Sequence, residues 1–130
     1  MNLHPTFAGS RLHDLLARRA ADGYLDLIAT TDRGAFDLQR NSVQVRPATS
    51  DIPAGFDSWL EESYRGAVVE QLWTDGDSLF ILLDQDRCVV YEFTLPDASG
   101  ASETLLFLRG PADVNRIKRH LEEEPDAREL

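Results

Sequence analysis

The sequence predicts an α+β domain, a mainly antiparallel sheet carrying three helices. Three observations lead there. Residues 68–95 read as a three-strand meander, with two polar turns on either side of the unbroken apolar run 79–83. Three other stretches, about 11–21, 52–65 and 111–123, space their apolar residues at helical intervals. Most strand candidates are joined by short turns, which favours antiparallel pairing.

The first helix is expected to start at Ser10, whose hydroxyl suits an N-cap. Leu12, Leu15, Leu16 and Ala20 form its stripe, and Gly23 closes it. Three strands follow, at residues 24–29, 35–39 and 42–46, the last ended by Pro47. Residues 47–55 read as a connection. In the second helix Ile52, Phe56, Trp59, Leu60 and Tyr64 fall near helical spacing, and Gly66 terminates it.

The meander strands are 68–73, 79–83 and 88–95. The middle one is too apolar to face water on either side. The first has mixed faces, Val69, Gln71 and Trp73 against Val68, Glu70, Leu72 and Thr74. Residues 104–108 make a fourth apolar strand. Pro111 opens the last helix, whose stripe is Val114, Ile117 and Leu121. The three glutamates 122–124 suit a helix C-terminus poorly, so fraying and a disordered tail over 125–130 are expected after a single domain, 1–124.

Charge is the strongest functional cue. The net charge is −10, and residues 51–103 supply all of it, with twelve acids against Arg65 and Arg87. A field of one sign repels nucleic acid and anionic membranes and speeds encounter with basic partners. With a single cysteine, Cys88, there is no internal disulfide. No apolar run is long enough to span a bilayer, and residues 1–5 lack the features of a secretory signal. A cytoplasmic, bacterial-type protein is the expectation.

Catalytic and cofactor patterns are absent from the sequence. His4, His13 and His120 share no metal-binding spacing, and there is no Cys-x-x-Cys pair. Asp75-Gly76-Asp77 and Asp84-Gln85-Asp86 lack the further oxygens of a calcium loop. No Gly-x-Ser-x-Gly elbow or glycine-rich phosphate loop occurs. Cys88 opens an apolar strand and reads as a small buried hydrophobe. No catalytic residue, metal or cofactor is therefore expected.

The reading is a small acidic protein-binding module, monomeric or homodimeric, and not an enzyme. An immunity protein or antitoxin blocking a basic toxin, for example one acting on nucleic acid, fits it best. The candidate contact residues are Glu61, Glu62, Asp75, Asp77, Asp84 and Asp86, with Trp73 as an apolar anchor if it is exposed. The alternatives are an acidic secretion-type chaperone and, behind it, a small hydrolase or ligand-binding domain.

Overall fold

The computed structural model describes residues 7–19, 25–38, 45–47, 56–76, 78–93 and 104–129. Among them are ten strands and a single α-helix. The α+β expectation with three helices is therefore overturned. The protein is mostly antiparallel sheet, and the 68–95 meander is only one part of it.

The strands are β1 (Arg11–Arg19), β2 (Leu25–Thr31), β3 (Gly34–Leu38), β4 (Val45–Pro47), β5 (Asp57–Ser58), β6 (Ala67–Asp75), β7 (Ser78–Leu83), β8 (Arg87–Phe93), β9 (Thr104–Arg109) and β10 (Ala127–Glu129). The helix α1 is Pro111–Glu123. Sheet order runs β4-β3-β2-β1-β6-β7-β8-β9, with β5 on β1 and β10 on β6. The predicted hairpin turn around residues 40–41 lies outside the described residues.

The expected first helix is strand β1, for a local reason. Its pairing with β2 shifts register between Leu12 and Asp14. That bulge sends two successive residues outward and brings Leu12 and Leu15 onto the same inner face, both fully buried. An i, i+3 spacing that suits a helix thus also suits a bulged strand. Helix propensities differ by at most ~0.7 kcal/mol per ordinary residue, whereas burying each leucine contributes ~1.5–3 kcal/mol, so tertiary burial decides. Ser10 caps no helix. Its hydroxyl donates to the Phe7 carbonyl at 2.6 Å in a tight turn completed by Gly9 at φ +82°.

The second expected helix is also absent from the residues described. Asp57 and Ser58 pair with Ala17 and Leu16 of β1, and only a single 3-10 turn, Glu62–Tyr64, is helical. Asp14, thrust out by the β1 bulge, competes for this backbone. Its carboxylate accepts the amides of Leu15 (2.8 Å) and Leu60 (3.2 Å) and the Ser58 hydroxyl. Trp59 N–H donates to the Leu15 carbonyl at 3.0 Å. Leu60 and Tyr64 are then buried in the core, with Trp59 packed against it.

The two halves of the sheet share that core. Leu12, Leu15, Leu27, Ala29, Phe36 and Leu38 come from β1–β3, and Val69, Leu72, Leu79, Ile81, Leu83, Val89 and Tyr91 from β6–β8. The halves join where Arg11 and Leu12 of β1 pair with Val68 and Ala67 of β6. Beyond that corner β6 leaves β1, and its far end pairs with β10 through Trp73, Thr74 and Asp75. Part of the stretch expected as a disordered tail is thus a paired strand.

The other face of β7–β9 is covered by α1. Leu82, Cys88 and Val90 form a second buried cluster with Val114, flanked by Trp73, Phe80, Phe107 and Ile117. This is why the run 79–83 is apolar throughout: alternate residues serve two cores.

Candidate functional site

A second bulge, between Val69 and Gln71, sets the geometry of the candidate site. It reverses the phase of β6 midway. Ala67, Val69 and Leu72 point into the main core, whereas Gln71, Trp73 and Asp75 turn toward α1. The mixed faces read from the sequence are two clean faces separated by one extra residue, the exposed Glu70.

Between α1 and this outward face lies a groove of about 240 Å³, lined by Gln71, Trp73, Leu82, Lys118, Leu121 and Glu122. Trp73 is half-buried. Its indole N–H faces Gln71 Oε1 at 3.4 Å, and Gln71 Nε2 donates to Glu129 of β10 at 3.2 Å. This relay holds a carboxylate beside the groove. Glu122 lines it from the last turn of α1.

The predicted contact residues fall into two groups at opposite ends of β7. Asp84 and Asp86 lie in the β7–β8 turn. Arg87 spans this end: it donates to Asp84 Oδ1 at 2.7 Å, to the Asp84 carbonyl at 3.2 Å and to the Ser63 carbonyl at 2.7 Å. Its guanidinium also stacks over Tyr64, 5.7 Å from the ring centre. Asp84 Oδ1 further accepts the Val68 amide at 3.2 Å. Partial burial pushes the Asp84 carboxyl up, but the Arg87 and Val68 hydrogen bonds and the Arg87 charge together hold it below its ordinary value. Asp86 stands 3.8 Å from Lys118. Glu62 lies 3.8 Å from Arg65, and Glu61 is exposed on the adjoining turn.

At the other end, Asp75 Oδ2 accepts a hydrogen bond from His120 Nε2 at 2.8 Å. Asp77 lies outside the described residues. Asp75, Asp84, Asp86 and Glu62 thus each have a basic partner within the chain. Four of the twelve acids counted over residues 51–103 are thus engaged within the chain.

The acids that sequence reasoning passed over are on α1 and β10. Residues 122–129 hold five acids and one base, Arg128. Glu122 and Glu123 are exposed and have no ion-pair partner among the described residues. Their signal in the sequence was the poor fit of a glutamate run to a helix C-terminus, a local cost that packing does not explain.

Burial pushes the Cys88 thiol up to about 12 against the opposing charges of Lys118 and Arg109, so it is protonated and enclosed at neutral pH. Among the described residues no group of three or more His, Cys, Asp or Glu side chains is placed to hold a metal ion. No helix among them is long and apolar enough to cross a membrane. No protein-family model, curated protein or solved structure matches the chain.

Proposed function

We propose that the protein is a small acidic binding module that masks a basic protein, in the manner of an immunity protein or antitoxin acting in the cytoplasm. The contact face is the one formed by β6, β10 and the C-terminal turn of α1. The observation that carries this reading is the groove itself. At about 240 Å³ it is below the ~300–1,000 Å³ of sites that enclose drug-sized ligands, but of a scale to take one side chain of a partner. Trp73 and Glu122 in the lining, with Glu129 hydrogen-bonded to Gln71 beside it, outweigh the single cation Lys118 and favour a partner of positive charge.

The sequence-based choice of Asp84 and Asp86 as partner contacts is not retained, because Arg87 and Lys118 already engage them. Trp73 is retained, with Gln71, Glu122, Glu123 and Glu129 added.

The test is capture from lysate by tagged protein at low and high salt, followed by reconstitution of each captured candidate with purified protein. The expected result is a folded basic partner bound at a ratio of about 1:1, with affinity falling as salt rises. Reversing Glu122 and Glu123 to lysine is expected to abolish capture. A partner held with equal strength at all salt concentrations and by the reversed variant would overturn the reading.

A further inference from the structure

We infer that the groove beneath α1 takes an arginine side chain of the partner. This rests on the reading of a basic partner and adds to it the group that is recognised. The apolar part of the lining, Leu82 and Leu121, suits an alkyl stem. Trp73 supplies the aromatic ring on which a planar guanidinium stacks better than a compact ammonium. The acceptors come from different elements: Glu122 on the helix, the Gln71 carbonyl on β6, and Glu129 of β10 hydrogen-bonded to Gln71. A fork of several N–H donors can engage such a spread of oxygens, and a point charge engages them less well.

One cation also lines the groove. The Lys118 ammonium is held toward Asp86 at 3.8 Å, on the flank away from His120 and Asp75. Residues 118 and 120 differ by about 200° around the helix, so their ion pairs pull to opposite sides, and Lys118 shares the groove face with Leu121 and Glu122, which flank it in angle. Set against Lys118, the carboxylates Glu122 in the lining and Glu129 beside it leave one net negative charge for an entering arginine.

The experiment uses three blocked tripeptides, Gly-X-Gly with X as arginine, lysine or norleucine, titrated into ¹⁵N-labelled protein. The two indole N–H resonances separate Trp73, at the groove, from Trp59, packed against the main core 6.0 Å from Tyr91. The expected result is a saturable shift of the Trp73 indole with arginine, about five-fold weaker binding of lysine, and no response to norleucine. Glu122→Gln and Glu129→Gln, both exposed and so compatible with folding, are each expected to weaken arginine binding roughly three-fold or more. Lysine matching arginine would overturn the assignment while leaving the basic-partner reading intact. Norleucine matching arginine would overturn both. Absence of any Trp73 response also overturns the assignment; the broader reading then stands only if an oligo-arginine peptide still binds the 122–129 face.

Discussion

The two ends of the meander carry similar acids and engage them to different degrees. At the β7–β8 turn, Asp84 is bonded to Arg87 and to the Val68 amide, and Asp86 faces Lys118. Where α1 and β10 meet β6, Glu122 and Glu123 have no cationic partner among the described residues, and Glu129 is held by an amide and not by a cation. Formal charge is therefore a poor guide to available charge. Asp84 and Asp86 are paired within the fold, as Asp75 is with His120, whereas Glu122 and Glu123 have no such partner among the described residues.

Arg87 gives the largest test of this contrast. Its side chain is 18% exposed and bridges Asp84, Ser63 and Tyr64. Arg87→Ala is expected to cost about 2–4 kcal/mol, since it strips charged hydrogen bonds and leaves Asp84 half-buried without its cation. Urea unfolding measures this. Basic-peptide binding at the Trp73 groove is expected to persist in conditions where the variant stays folded.

A pH series sharpens the same contrast. The folded-state pKa of Asp84 is depressed, so its stabilising effect is present above the ordinary carboxylate value of about 4 and is lost as pH falls through the lower folded value. Asp84→Asn is expected to be less stable than the parent at neutral pH. The two denaturation curves should approach one another as pH falls below about 4. Parallel curves over that range would mean that the Asp84–Arg87 pair adds nothing to stability.

A smaller effect is expected at the tip of that turn. Gln85 and Asp86 both sit at positive φ, 57° and 52°, which glutamine adopts at a cost of ~1 kcal/mol. Gln85→Gly is expected to raise stability by about 0.5–1 kcal/mol in the same assay. The smallest stability change is expected at the partner end. Glu122→Gln with Glu123→Gln should stay within about 0.5 kcal/mol of the parent, because these carboxylates support nothing inside the fold. A larger loss there would assign them a structural role.

Much of the C-terminal half was legible in the sequence, and the N-terminal half was not. The meander, the strand at Thr104–Arg109 and the helix at Pro111–Glu123 announce themselves by short apolar runs between polar turns, by the helical stripe of Val114, Ile117 and Leu121, and by Gly and Pro punctuation. Leu12 and Leu15 mislead because a bulge gives a strand the spacing of a helix. Residues 56–64 mislead because Trp59, Leu60 and Tyr64 serve as core anchors in an irregular connection, whose amides find Asp14 and Leu15 across the sheet. Local spacing carries no record of those long-range partners. For the same reason Trp73 was picked out but its surroundings were not: the Glu70 bulge decides which face it shares, and β10 brings Glu129 beside it from fifty-six residues away in the chain.

The most direct test is a ¹⁵N–¹H map of the whole protein titrated with a short oligo-arginine peptide at low salt. The expected result is a contiguous set of shifts at Gln71, Trp73, Glu122, Glu123 and Glu129, fading as salt is added, with Asp84 and Asp86 unmoved. Shifts centred on Asp84 and Asp86, or spread evenly over every acid, would contradict the division of labour between the two ends.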